Sequence, residues 1–577
     1  MREYWAMRIS ESSWHVTRFS SERFASAPER TAIAATALFH VTAVLNILQT
    51  EYGFFATTVA LLTWTFLNLF WIAVLRRPAV SAALSLMMIG TLIVLSQFKF
   101  NILEMAISFF DFLIVDADTT RFLLMIFPEL RNVIIAAAAV GVPLIILLWR
   151  IDSFRIRRSI AAIASMASLT RMVLFAGSVP EQAWEPFQGV NHVSNFIRSG
   201  VISISELATH SWLEADAVAT GQVQSTVANI CKPATKPPNI IMLLDESSFD
   251  ITASASIKVP PGYREHFRSF DGKERSLLVE ATGGPTWYAE YNVLSGLSAR
   301  SYGRFMFYVT RIAAGRVKRG LPEALRRCGY KTFTLYPANG DFLSARSFQE
   351  SVGIEHFIDM KAMGISSDLQ PDRFYLDQAR QLIESEHGKR PLFIFVYVAV
   401  NHFPWTWTFR PDLTPDWRPL GNTPEIDEYI RRQTMSAGDY SDFLHRLRQD
   451  FPTESFLLLR FGDHQPAISI KVLDPDADAA TIADRVMTYD PSYFTTYYAI
   501  DTVNFSPMDV SSALDRLDVP YLPLVVLEAA GLPLDASFEE QKKILKRCSG
   551  LFYRCNGGAE ARRFNRLLLN AGLIEGL

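Results

Sequence analysis

Five apolar stretches, each close to the ~20 residues that cross a bilayer, crowd the first 180 residues of this chain. They run approximately over 31–50, 54–75, 79–98, 132–149 and 159–178. Arg171 interrupts the fifth, where it snorkels, faces a partner helix or marks an interfacial segment. The 49% hydrophobic share of the 577 residues is concentrated here, and the remainder has an ordinary soluble composition. A formal net charge of −3 gives no global sign of nucleic-acid binding. There is no internal repeat and no low-complexity tract. The expected architecture is an all-α transmembrane bundle of about five helices followed by a separate outer domain.

Orientation follows from the basic residues. Arg2, Arg8, Arg18, Arg23 and Arg30 lie in the N-terminal tail, Arg76 and Arg77 follow the second span, and Arg150, Arg155, Arg157 and Arg158 follow the fourth. The other connections are poor in Lys and Arg. Alternation therefore puts the N-terminus inside and everything after about residue 180 outside. The tail lacks the apolar core of a cleaved signal peptide. The division expected is a cytoplasmic tail over 1–30, a transmembrane domain over 31–178, a connector over 179–238 and an outer domain over 239–577.

Residues 99–131 interleave Phe109, Phe110, Phe112 and Phe122 with Glu104, Asp111, Asp116 and Asp118. This reads as an amphipathic segment at the outer interface, or as a shelf that holds a lipid near the outer domain. All four cysteines, Cys231, Cys328, Cys548 and Cys555, fall in the expected outer part, which suits an oxidising compartment. Cys548 and Cys555 are close in sequence and are expected to pair, leaving Cys231 with Cys328.

From residue 239 the pattern becomes strand–helix alternation. Apolar strands are expected over 239–244, 277–280, 331–336, 391–400 and 456–461, with helices around 287–296, 321–328, 372–386 and 424–449. This is a doubly wound α/β domain, which binds ligands beyond the carboxyl ends of its strands. Glu246 follows the first strand. Thr286 follows a GlyGlyPro turn and opens a helix. Asn401–His402 follow the fourth strand and Asp463–His464 the last. If the strands are parallel these groups converge on one sheet edge. Glu246, Asp463 and His464 then supply two carboxylates and an imidazole to one divalent ion, manganese, zinc or magnesium, with a fourth position left for Thr286. A threonine hydroxyl is a poor nucleophile at neutral pH. A dication and a helix N-terminus lower the cost of its ionisation and favour an incoming anion, which points to in-line attack on a phosphoester or sulfate ester.

The order Glu246, Thr286, His402, Asp463–His464 resembles the lipoteichoic acid synthase and phosphoglycerol transferase branch of the alkaline phosphatase/sulfatase superfamily. The strings that carry the likeness are MetLeuLeuAspGluSer, the Thr286 segment with AsnValLeuSerGlyLeu, AlaValAsnHisPheProTrp and PheGlyAspHis. The resemblance implies Thr286 as the nucleophile of a phospho-threonine intermediate, Glu246, Thr286, Asp463 and His464 around the metal, and His402 at the phosphoryl group or as acid/base. It implies a bacterial inner-membrane enzyme with an extracytoplasmic catalytic domain. Such an enzyme moves phosphoglycerol or a similar headgroup from a membrane phospholipid to a glycan or glycolipid. Substrate contacts are expected from Tyr336, Arg346, His402 and Trp405. The chain departs from the pattern where Tyr336 and Leu343 replace a His and a Trp of the glycerol phosphate pocket, so a phosphoethanolamine transferase is an alternative, although the Cys-rich segment of that branch is missing. A membrane-anchored phosphodiesterase or sulfatase is a further alternative. Pro285–Thr286–Trp287 lacks the Cys/Ser-x-Pro-x-Arg pattern of sulfatases. Trp405 and Trp407 serve as membrane anchors, sugar platforms or packing. Arg300, Arg304, Arg311 and Arg316 form a headgroup-binding or a solvated basic face, and Asp474, Asp476 and Asp478 an acidic surface loop.

Overall fold

The computed structural model describes residues 27–576 except 104, 115–119, 121–123, 125–127, 180–184, 186–187, 220–222, 224–230, 232–235 and 366–368. Most of the basic N-terminal tail, much of the connector, and Glu104, Asp116, Asp118 and Phe122 lie outside the described residues.

The chain forms two compact units, one of Met1–Ser108, Arg131–Glu181 and Glu185–Val201, the other of Phe109–Leu130, Gln182–Trp184 and Ile202–Leu577. In the first, the helices Ala27–Thr50, Phe54–Leu75, Pro78–Leu103, Pro128–Ile151 and Arg158–Ala176 are long and apolar enough to cross a membrane. They follow the five apolar stretches of the sequence. Between them, Asp152 Oδ2 accepts the Ala79 amide at 2.8 Å and the Val80 amide at 3.3 Å, using donors that the start of the Pro78–Leu103 helix leaves unpaired.

A short helix, Phe109–Ile114, belongs to the second unit, although its sequence position lies between two apolar helices. The reason is aromatic. Phe110 is 3% exposed and packs on the rings of Trp212, Phe305 and Tyr308, while the Tyr308 hydroxyl donates to Asp111 at 2.8 Å.

The second unit is built on an eight-stranded sheet: β1 (Asn239–Asp245), β2 (Arg275–Leu278), β3 (Lys331–Leu335), β4 (His356–Ile358), β5 (Leu392–Val398), β6 (Phe456–Gly462), β7 (Thr495–Val503) and β8 (Arg516–Asp518). The order is β4-β3-β5-β1-β6-β7-β2-β8. Only β7 runs against its neighbours. Every residue of β1, β5 and β6 is buried, as expected of strands covered on both faces. Alternate side chains divide between two cores. Ile240, Met242 and Leu244 join Phe393, Phe395, Leu457 and Leu459 on the face covered by the Thr286–Ser295 helix. Ile241 and Leu243 join Ile394, Val396 and Leu458 on the face covered by the Asp372–Glu386 and Pro424–Asp450 helices. Two disulfides, Cys231–Cys328 and Cys548–Cys555, lie in this unit, with the pairing read from the sequence.

Candidate metal and nucleophile centre

Register decides what meets at the sheet edge. Asp245 of β1 lies opposite Gly462 of β6 and Val398 of β5. The next residues, Glu246 and Asp463, therefore leave adjacent parallel strands at the same level. Position 462 must be glycine for this to happen: a Cβ there would sit 1.9 Å from the Ser248 carbonyl oxygen. Across the crossing, Ser247 adopts φ 55°, a left-handed conformation rare outside glycine. That turn aims its amide at Asp463 Oδ1, 2.8 Å away, and its hydroxyl at Glu246 Oε1, 2.9 Å away. Ser247 and Gly462 lie in the strings MetLeuLeuAspGluSer and PheGlyAspHis, but their structural roles do not show there, because a positive φ on serine and a backbone approach leave no residue pattern.

One ligand atom each from Glu246, Asp463 and His464 lies within 4.8 Å of the others, and all three residues are buried. Asp463 Oδ1 is used by the Ser247 and His464 amides, but its Oδ2 is buried with no hydrogen-bond partner. His464 Nδ1 lies 3.0 Å from the Gln465 carbonyl. That acceptor takes the Nδ1 proton and turns Nε2 toward the carboxylates, 3.3 Å from Asp463 Oδ2 and 3.4 Å from Glu246 Oε1. An orphaned carboxylate oxygen facing an imidazole nitrogen held in this tautomer fits a divalent cation. Electrostatics agree. Burial and the neighbouring Glu246 charge push Asp463 up to about 7. Burial alone would raise Glu246, but the hydrogen bond and charge of His464 lower it; burial alone would lower His464, but the Asp463 charge, then the Glu246 hydrogen bond and charge, raise it. The cluster carries more negative charge than one imidazolium relieves.

Thr286 begins its helix after Gly283 (φ 75°) and Gly284 (φ 152°), a turn open only to glycine. Its hydroxyl donates to Glu246 Oε2 at 3.1 Å and lies 3.5 Å from His464 Nε2. Thr286 is half-buried, whereas Glu246, Asp463 and His464 are buried. His402 is exposed beyond the end of β5, the strand next to β1, with its Nδ1 2.7 Å from the Phe403 carbonyl. Of the strand-end groups singled out in the sequence, Glu246, Thr286, Asp463 and His464 thus converge, and His402 lies at the end of the neighbouring strand β5.

The other sequence candidates lie further from the cluster's chemistry. Tyr336 is buried against Phe357 and Tyr397, its pKa raised by burial and then by Glu290 and Glu246. Arg346 donates to Asp359 at 2.6 Å and to the Phe357 carbonyl at 3.0 Å. Trp405 is 6% exposed and packs on Tyr429, so of the three roles open to it packing is the one observed, whereas Trp407 is 47% exposed. The arginines after the nucleophile helix do not form one free basic face. Arg300 stacks on Tyr489 and Tyr553, and Arg304 pairs with Glu206. Asp474 pairs with Arg485, and Asp478 caps the helix Ala479–Met487.

The profile of the family described as Sulfatase matches residues 261–485. That stretch, less than half of the chain, is similar to the sulfatase family. The matched stretch holds Thr286, His402, Asp463 and His464, while Glu246 precedes it. No curated protein sequence matches the chain. Among solved structures it is similar to the lipoteichoic acid synthase LtaP from Listeria monocytogenes, at 16% identity and TM-score 0.37, covering 52% of this chain and 73% of that one. It is similar to the Streptococcus pyogenes phosphoglycerol transferase GacH in complex with sn-glycerol-1-phosphate, at 14% identity and TM-score 0.44, covering 59% and 87%. It is also similar to the lipooligosaccharide phosphoethanolamine transferase EptA from Neisseria meningitidis, an integral membrane protein, at 12% identity and TM-score 0.46, covering 86% and 95%.

Proposed function

We propose that the second unit, with its sulfatase-like stretch, is a phospho-headgroup transferase that takes its donor from a membrane phospholipid and passes the group, phosphoglycerol or a relative, to a glycan or glycolipid outside the cytoplasm. The observation that carries this reading is the Thr286 hydroxyl, half-exposed at a helix N-terminus and 3.1 Å from a buried carboxylate of the three-residue cluster. Glu246, Asp463 and His464 would hold one divalent ion. When bound, that ion supplies a Lewis acid that stabilises negative charge on oxygen.

The chain's own groups do the rest. The Thr286 oxygen bonds to phosphorus as the phosphorus–oxygen bond to diacylglycerol breaks, and the threonine proton ends on the diacylglycerol oxygen. In the second step an acceptor hydroxyl bonds to phosphorus, the phospho-threonine bond breaks, and a proton returns to Thr286. The N-terminus of the Thr286–Ser295 helix faces the anion in both steps. His402, exposed beside the cluster, carries the proton to the leaving oxygen and takes it from the incoming one. Tyr336 and Arg346 are proposed headgroup contacts, with Trp405 supporting the loop from its buried side. Five helices suited to a bilayer give the donor lipid a place in the same molecule. We place the N-terminus in the cytoplasm and the domain outside.

The test is diacylglycerol release from labelled phosphatidylglycerol and phosphatidylethanolamine by the full chain in mixed micelles. Thr286→Ala is expected to lower release by about 10³-fold or more and to abolish the phosphorylated peptide. Release by Thr286→Ala equal to wild type sinks the nucleophile. Consumption of soluble diesters with neither lipid touched turns the reading to a hydrolase.

A further inference from the structure

His402 stands on a loop that the sheet does not hold. The loop leaves β5 and runs from Asn401 to Phe409, where the sequence marked only the histidine and the tryptophans. What holds it is a side chain from the Pro424–Asp450 helix. Arg432 is fully buried, and its guanidinium is spread over the loop's main chain. Nη1 donates to the His402 carbonyl at 2.8 Å, and Nη2 donates to the carbonyls of Pro404 and Trp407, each at 3.0 Å. Nε donates to Glu428 Oε1 at 2.7 Å. The Glu428 carboxylate also takes the Phe409 amide at 2.9 Å and both ends of Arg431, which in turn donates to the Phe409 carbonyl.

Two guanidiniums and one carboxylate are thus buried beneath a single loop. Packing alone does not account for this, since an apolar side chain of equal volume covers a loop without the cost of desolvating an ion. What a planar fork adds is direction: it fixes the orientation of three carbonyls at once, as a lysine's single ammonium does not. The first of those carbonyls is that of His402.

We propose that Arg432 is the positioning residue of His402, holding the imidazole at the mouth of the Thr286 centre. The proposal rests on the proton-transfer role given to His402 above. Arg432→Gln removes the fork and leaves the Arg431–Glu428 pair intact. In the full chain it is expected to lower kcat for headgroup transfer by about 10- to 100-fold, the scale of a displaced catalytic group, with little change in KM for the lipid. In a His402→Ala background the same substitution is expected to cost nothing further, because the group it positions is gone. Losses that multiply, or an Arg432→Gln enzyme as fast as wild type, overturn the proposal. Arg432→Lys runs through the same cycle if the glutamine variant does not fold, and is expected not to rescue.

Amide exchange across 401–409, read by mass spectrometry, needs no activity. It is expected to quicken about tenfold or more in Arg432→Gln while β5 is unchanged. Unaltered exchange removes the clamp. A wild type that is inactive on both lipids removes the function reading instead, and leaves the clamp to be judged on exchange.

Discussion

Asp463 is the residue at which fold and chemistry are hardest to separate. One of its oxygens holds the Ser247 and His464 amides, and the other is buried with nothing to accept. A carboxylate kept in that state is costly to the apo protein and useful to a cation. Asp463→Asn keeps an oxygen for the two amides and removes the charge. The variant is expected to fold, and without metal to melt no lower than wild type, since repulsion with Glu246 is relieved. Its affinity for Mn or Zn is expected to fall by at least about 100-fold, given that even residues behind a ligand are worth 10- to 100-fold. Calorimetric titration with each metal checks this, and unaltered affinity removes Asp463 from the ligand set. Glu246, Thr286, Asp463 and His464 were legible in the sequence because each follows an apolar run or a glycine turn, and such runs end where α/β sheets do chemistry. The parts played by Ser247, Gly462 and Arg432 were not. Their roles depend on a positive φ, a backbone approach and a contact 30 residues away in sequence, none of which leaves a local pattern.

At the scale of elements, the strands found from sequence are those with long buried runs or clear breakers. β4 and β8 are three residues each, too short to show a period. β7, ThrThrTyrTyrAlaIleAspThrVal, has the β-branched and aromatic content of a strand, but it is the one antiparallel member and lies outside the strand–helix alternation of the sequence. The end of β5 carries a prediction of its own. Asp372, at the start of the Asp372–Glu386 helix, accepts the Ala399 and Val400 amides at 2.9 Å each, two residues before His402. Its second oxygen is buried without a partner. Burial, then the Asp245 charge, raises its pKa to about 7. An acid whose folded pKa exceeds its unfolded value near 4 binds its proton more tightly in the native state, so stability is highest at low pH and falls as pH rises from about 4 through about 7. Asn at this position imitates the protonated acid. Asp372→Asn is expected to stabilise the chain more at pH 8.5 than at pH 5, by something on the order of 1–3 kcal/mol. Denaturant melts at the two pH values measure the difference, and an equal effect at both rules out titration of Asp372 in this range.

At the scale of the molecule, the two disulfides divide the labour unequally. Cys548–Cys555 closes a sequence separation of 7, whereas Cys231–Cys328 closes 97. The longer loop contains β1, β2, Glu246, Ser247 and the whole Thr286 helix, so half of the proposed centre sits inside one covalent ring while Asp463, His464 and His402 sit outside it. Chain entropy weights the two differently, since cross-linking removes conformations from the unfolded ensemble as the logarithm of loop length. The relation gives about 4–5 kcal/mol for the long loop and about 2–2.5 kcal/mol for the short one. Cys231→Ser/Cys328→Ser is therefore expected to lower the melting temperature by roughly 5–10 °C, and Cys548→Ser/Cys555→Ser by a few degrees. Because the long ring limits how far Glu246 and Thr286 can drift from the strands that carry Asp463 and His464, the first pair should also lose more of its metal-induced stabilisation. Thermal melts of both variants with and without Mn measure the two effects together. Equal losses, or a greater loss for the short loop, would show that the covalent ring does not help to assemble the centre.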